Sequence, residues 1–397
     1  MPHQRPRQLL DLLEKRLRLF PIVGVLGARQ TGKSTLLRNL LPDRRSIRYV
    51  TLDRGEVKAQ AHRQPSLFVR NLESSDIQTV CIDEIQKEPV LFDTLKAEVD
   101  ERRHPGRFVV SGSTEFSKKT GIQDSLTGRI SLLRLFPLNQ AEIDQRKPTF
   151  PLLDPMKSLK NKLAPPIEET QTWLDQGGMP GMFAVRDATN RAALFENWIE
   201  TTCSRDLAQF QIPRFNPELA RRIFFETAQA QTPHRSEIAK SLGKLPRQIE
   251  AYFEAFKALF VFYEVEPYKT SVGKPYFFCF DAGLAGFAGA SVERRLQIWF
   301  LNECFSQFAC SAQMRPDVFR YETNRGSQVD FVVQAKDTRY AIKLVHDEAP
   351  GTYLLRAAEA FRKKHPPIPV LLAAPCLGTH QPGEDSGLIV APWSALT

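Results

Sequence analysis

Cysteine is sparse and unpatterned. The six thiols, Cys81, Cys203, Cys279, Cys304, Cys310 and Cys376, form no CxxC pair, and no histidine joins them at zinc spacing. A disulfide framework or a zinc module is therefore excluded as the organising device, and reduced, mostly buried thiols are expected. The seven histidines are equally scattered. No apolar run approaches the roughly 18 residues of a membrane span. The N-terminal stretch has no apolar segment followed by a small-residue cleavage site, so no signal peptide is read and a cytoplasmic chain is expected. Internal repeats, low-complexity tracts and an N-K-x-D-like guanine reader are also missing.

The 397 residues are too many for one compact core, and two to four domains are expected at roughly 100–200 residues each. Hydrophobic content of 42% and charged content of 25% are those of a globular chain. Net charge is +9, and Lys and Arg outnumber Asp and Glu by 11 to 3 in the first 50 residues. Such a basic segment can attract nucleic acid or acidic surfaces, or simply be a solvated face.

Leucine pairs alternating with Arg and Lys over residues 5–20 suggest an amphipathic helix. "PIVGVLG" (21–27), "SIRYVTLD" (46–53), "IQTVCIDEIQ" (77–86) and "GRFVVSGST" (106–114) read as strands. "GKSTLLRNLL" (32–41) and "EPVLFDTLKAEVDERRH" (88–104) read as helices. This alternation predicts a parallel sheet covered on both faces. After Ile143 the composition turns Pro- and Lys-rich, which predicts a linker or irregular excursion over 144–170. A helical region is expected over 171–274 and a mixed α/β domain over 275–397.

Gly27-Ala28-Arg29-Gln30-Thr31-Gly32-Lys33-Ser34 fits G-x-x-x-x-G-K-[ST] at every position, with a strand before it and a helix after, Thr35 included. The glycines let backbone N–H groups wrap a β-phosphate while the helix N-terminus faces the anion. Lys33 can reach the β- and γ-phosphates, and the Ser34 hydroxyl can ligate Mg²⁺. About 50 residues later an apolar strand ends in Asp83-Glu84. Asp83 can hold Mg²⁺ through water, and Glu84 can polarise the attacking water. Ser111 or Ser113 can orient the γ-phosphate or the water, or simply end a strand. Arg129, with Arg134 as its rival, is a cation that can neutralise charge at the γ-phosphate, in cis or from a neighbouring copy. A plain surface arginine is the alternative.

"GARQTGKSTLL", "CIDEIQKEP", "FVVSGST", "LTGRI" and "LFPLNQAEI", in this order, resemble a large group of prokaryotic AAA+-like P-loop ATPases whose C-terminal half is a domain of unknown function. Later segments agree: "GGMPGMF" (177–183), "SRDL" (204–207), "KPYFFCFDAGLAG" and "YETNRGSQVDFVV". The resemblance implies ATP with Mg²⁺, an ATPase domain over 1–143, a winged-helix-like segment and a C-terminal fold similar to PD-(D/E)XK (restriction-endonuclease-like) nucleases. In that last fold Asp330 matches the first metal-binding carboxylate. The segment where A-I-E-V-K is usual reads Ala341-Ile342-Lys343-Leu344-Val345, however. A lysine ammonium where the second carboxylate belongs repels Mg²⁺. Glu303 lies one position past the place expected for an upstream acid.

"SEIAKSLGKLPRQIEAYF" (236–253) has the outline of a helix-turn-helix, with Ser236 as the expected cap and Gly243 in the turn. Arg247 and Gln248 would stand where a reader helix meets base edges of double-stranded DNA. Three functions stay open: an ATP-hydrolysing switch or motor that alters the contact between the P-loop domain and the C-terminal half or between subunits, or an interaction with a protein partner or DNA; a nucleotide-gated DNA-binding module with little turnover; and an ATP-dependent nuclease, against which Lys343 argues.

Overall fold

The computed structural model describes residues 5–116, 128–159, 167–311, 315–324, 328–336, 338–346, 352–374 and 388–397. Leu126 and Thr127, residues 160–166 of the expected linker, Arg325–Ser327 and Cys376 lie outside them. Among the described residues no helix is long and apolar enough to cross a membrane. The chain forms two compact units. One holds the described residues from Arg5 to Phe136 together with Ala258–Phe260; the other holds Pro137–Lys257 and Val261 onward.

The first unit is built on five strands: β1 (Ile22–Leu26), β2 (Ile47–Thr51), β3 (Thr79–Asp83), β4 (Phe108–Gly112) and β5 (Ile130–Arg134). They run in the order β2-β3-β4-β1-β5, and every pairing is parallel. β1, β3 and β4 are buried at all five positions, which is why they read as unbroken apolar runs rather than alternating ones. Helices Leu9–Leu17, Pro65–Leu72 and Val90–Glu101 bury apolar stripes in this unit. The helix after the phosphate loop begins at Lys33–Thr35 and widens into a π turn over Leu36–Leu40.

The second unit carries seven strands: β6 (Phe262–Pro267), β7 (Tyr276–Cys279), β8 (Asp317–Glu322), β9 (Gln328–Gln334), β10 (Arg339–Leu344), β11 (Val370–Ala374) and β12 (Leu388–Pro392). Their order is β12-β11-β10-β9-β8-β6-β7. β9 is antiparallel to β8 and β10, whereas β10, β11 and β12 run parallel. The 19-residue helix Val292–Cys310 is buried along almost its whole length. Helices Ile167–Gln176, Ala188–Thr201, Pro217–Gln229, Arg235–Ser241 and Pro246–Ala258 precede β6.

The two compact units part at Phe136/Pro137, and the described part of the stretch over 144–170 is packed into the second. Gln307 accepts the Leu152 N–H at 3.1 Å, and Thr338 donates to the Leu153 carbonyl at 2.5 Å. Leucines buried among the prolines and lysines make it an anchored segment.

Candidate functional site

Asp83 ends β3, and Gly27 and Ser113 stand just past the carboxyl ends of β1 and β4. That edge, where the strand order reverses, is where open α/β sheets bind ligands. Gly27 must be glycine: a Cβ there would lie 2.2 Å from the Leu135 carbonyl oxygen. Gly32 adopts φ +96° and Gln30 φ +62°, so the loop turns twice through left-handed backbone. Ala28 and Thr31 are buried, Arg29 is half-buried, and Gln30, Ser34 and Thr35 are exposed. Thr31 Oγ1 bonds to the Ala28 carbonyl at 2.8 Å. Arg7, which sequence reading passed over, braces the loop by donating to the carbonyls of Thr31 and Phe136, both at 2.6 Å.

The Lys33 side chain folds back on its own loop, donating to the Gly27 and Ala28 carbonyls at 2.9 Å each. It is only 4% exposed. Burial lowers its pKa below the usual lysine value, with Glu84 and Asp83 pulling the other way. A phosphate would exchange two carbonyl acceptors for a full anion, a stronger partner for an ammonium.

Asp83 collects three hydroxyls. Ser34 donates to Oδ2 at 2.7 Å, Tyr49 donates to the same oxygen at 2.5 Å, and Ser111 donates to Oδ1. Tyr49, on β2, was missed in the sequence because its contact is made across the sheet. Burial, then the bond to Asp83, raises its pKa well above the ordinary tyrosine value. A buried carboxylate facing an exposed serine hydroxyl is the hard oxygen donor set that suits Mg²⁺.

Glu84 adopts φ +58°, ψ +40°, a strained conformation for a non-glycine residue. Its Oε2 accepts from Gln86 Nε2 at 2.5 Å and from Ser113 Oγ at 3.2 Å, and Gln86 also reaches Ser113 at 3.1 Å. Of the two serines, Ser111 donates to Asp83 and Ser113 to Glu84.

Arg129 does not belong to this constellation within one chain. It precedes β5 at the amino end of the sheet, where its carbonyl accepts the Ile22 N–H at 3.2 Å. Its side chain pairs with Asp100 at 2.6 and 2.9 Å. A strand's length, roughly 15 Å, separates it from the phosphate loop. Its rival Arg134 pairs in register with Leu26, at the correct end, but its guanidinium lies over the rings of Phe136 and Phe260 at 4.8 and 4.6 Å.

In the second unit two of the three groups compared with a nuclease site adjoin and the third is bonded elsewhere. Asp330 accepts from Gln297 at 2.6 Å and from the Leu344 N–H at 2.7 Å, and Lys343 stands 3.4 Å from it as an ion pair. Glu303 is bonded elsewhere, to the Gln140 N–H at 2.7 Å and to Gln307 at 3.4 Å. Among the described residues no three His, Cys, Asp or Glu side chains gather as a metal site. Cys81, Cys203, Cys279 and Cys304 are buried free thiols pushed up to about 12 by burial.

Burial also raises the Glu303 carboxyl to about 8; Glu142 adds to the rise, while the Gln140 N–H, Gln307 and Arg146 oppose it. The folded chain therefore holds this proton more tightly than the unfolded chain. Its contribution to stability is complete below the unfolded value of about 4.5 and is lost as pH climbs through about 8. Glu303→Gln is expected to remove that slope. The denaturation midpoint of the parent, compared with the variant's, should fall progressively between those two pH values.

Helices Arg235–Ser241 and Pro246–Ala258 flank a turn in which Gly243 has φ +64°. The cap expected at Ser236 is supplied by His234, whose Nδ1 accepts the Glu237 N–H at 3.1 Å. Arg235 ties the helices together through Glu250 at 2.5 Å. Arg247 and Gln248 are exposed, but Gln248 Oε1 accepts the Leu245 N–H at 2.8 Å, which makes it a helix cap.

Residues 19–144 match the model of an AAA domain, and residues 167–293 match that of a domain of unknown function (DUF8612). The first unit is thus a P-loop ATPase-like α/β domain. An uncharacterized protein of Mycobacterium tuberculosis is 26% identical over 353 residues, covering 85% of this chain and 73% of its own length; one of Mycobacterium bovis gives the same figures. Among solved structures, a signal-transduction ATPase with a tetratricopeptide repeat sensor from Pyrococcus horikoshii is 13% identical with a TM-score of 0.30. That alignment covers 76% of this chain and spans 46% of that one. The helicase domain of Hef from Pyrococcus furiosus is 14% identical with a TM-score of 0.22, covering 64% of this chain and 68% of that one. Scores this low carry no argument about function.

Proposed function

We propose that the chain is a Mg²⁺-dependent ATPase whose nucleotide state alters an interaction made elsewhere on the protein. The observation that carries this reading is the convergence of Lys33, Ser34, Asp83, Glu84 and Ser113 at one sheet edge. The loop amides of Gly27–Ser34 receive the β-phosphate, and Lys33 leaves its carbonyls for the β- and γ-phosphates. Ser34 and Asp83 hold Mg²⁺, which neutralises phosphate charge when bound. Glu84 orients and deprotonates the attacking water once it leaves Gln86 and Ser113. Adenine follows from the family resemblance and from the missing guanine reader. Titration of a fluorescent ATP analogue tests the binding half. Mg²⁺ should tighten it in the parent, and Asp83→Asn should remove most of that gain. Binding indifferent to Mg²⁺ would sink this assignment.

A DNA-coupled version draws on the exposed Arg247 near the start of the second helix of the turn motif, a winged-helix-like arrangement continued by the antiparallel β6–β7 pair. It expects salt-dependent binding of double-stranded DNA, with Arg247→Ala lowering affinity and the salt slope by about one unit while leaving nucleotide affinity unchanged. A protein partner, or a second copy supplying Arg129, is what remains if DNA does not bind.

A further inference from the structure

The Asp83 carboxylate is met by donors from three elements. Tyr49 stands on β2 directly opposite Cys81 of β3. Cys81 and Asp83 are two apart on that strand and so share a face, and the phenol reaches along this face to the carboxylate. The contact is sheltered, since Asp83 is only 2% exposed and Tyr49 is half-buried.

An ionised carboxylate only accepts, and it has about four lone-pair sites, two on each oxygen. Ser34 and Tyr49 both donate to Oδ2, at 2.7 and 2.5 Å, and Ser111 donates to Oδ1. Oδ2 is therefore filled by two hydroxyls. The bond from Ser34 spends that hydroxyl's hydrogen on Asp83 and leaves its oxygen lone pairs for a cation. The bond from Tyr49 orients nothing in the phosphate loop. It occupies the lone pair through which Oδ2 would otherwise ligate a cation directly.

Divalent cations differ in what they require of such a carboxylate. Mg²⁺ dehydrates reluctantly and keeps several waters, whereas Ca²⁺ takes more oxygen ligands in a flexible arrangement and accepts carboxylates directly.

We propose that Tyr49 is a positioning residue that sets cation specificity: by filling Oδ2 it makes Asp83 act on the cation through water, which favours Mg²⁺ over Ca²⁺. This rests on the Mg²⁺ assignment made above and deepens it.

The test is a titration of the full chain with a fluorescent, non-hydrolysable ATP analogue in EDTA, in Mg²⁺ and in Ca²⁺. Tyr49→Phe, which removes only the phenol oxygen, is compared with the parent in the same solutions, so the cations' own preference for the triphosphate cancels. Affinity in EDTA should be unchanged. The ratio of Mg²⁺-supported to Ca²⁺-supported affinity should shift toward Ca²⁺ about tenfold, the low end of what losing an outer partner of a metal site costs. An unchanged ratio, or equal losses in all three solutions as a merely structural tyrosine would give, overturns the role of Tyr49 and leaves the Mg²⁺ assignment standing. A parent whose affinity neither cation alters overturns both.

Discussion

Glu84→Gln is expected to slow Mg²⁺-dependent ATP turnover about 10²–10⁴-fold, the usual contribution of a positioned general base. MgATP affinity should change less than about twofold. The reasoning is steric and electrostatic. Glutamine keeps the shape of glutamate and its bonds to Gln86 and Ser113 can be re-formed by the amide, so the loop that binds phosphate is untouched. What disappears is the ability to take a proton from water. Lys33→Ala should behave differently. It removes the cation aimed at the phosphates and should lose affinity and turnover together. Single-turnover kinetics beside equilibrium binding separates the two patterns. Equal turnover in parent and Glu84→Gln would remove Glu84 from the chemistry.

The second large effect concerns stability. Lys343→Met is expected to destabilise the second unit by about 3 kcal/mol. Breaking a buried ion pair from one side typically costs about 3–5 kcal/mol, because the remaining group stays buried without its counter-charge. Asp330 keeps the Gln297 and Leu344 hydrogen bonds, which places the effect at the low end. The partners are 9% and 7% exposed, so solvent screens little of the interaction. Adding Asp330→Asn should restore part of the loss, and the double-mutant cycle isolates the coupling. Trp173, Trp198, Trp299 and Trp393 all lie in the second unit, so tryptophan fluorescence follows its unfolding without a contribution from the first. A loss under about 0.5 kcal/mol, as for an exposed pair, would refute the account. The same geometry explains why Lys343 argues against Mg²⁺ at Asp330: the ammonium already occupies the carboxylate's electrostatic field.

The phosphate loop and the Asp83–Glu84 pair were legible in the sequence because phosphate binding demands residues adjacent in the chain, with fixed spacing and a strand–turn–helix context. β1, β3 and β4 were readable for a related reason: buried parallel strands write themselves as apolar runs. β2, half-buried throughout, was read as well, whereas β5 was not, since "ISLLR" carries no clear period. Arg7, Tyr49 and Gln86 were invisible. Arg7 and Tyr49 are brought to the site across long sequence separations, and Gln86 acts through a backbone turn at Glu84 that spacing does not reveal. Whether Arg129 acts in cis or from a neighbouring copy was left open by the sequence; strand direction puts it at the far end of the sheet from the phosphate loop of its own chain. In the second unit the charge inversion at Lys343 was plain, but only the folded chain shows Glu303 bonded away from Asp330.

The most direct test of the central claim is release of inorganic phosphate from ATP by the purified full chain, with and without Mg²⁺, beside Lys33→Ala. Mg²⁺-dependent release in the parent, abolished in the variant, is the predicted result. Tight nucleotide binding with no release above the Lys33→Ala background would contradict it, and would make the chain a nucleotide-gated switch in which Glu84 polarises no water.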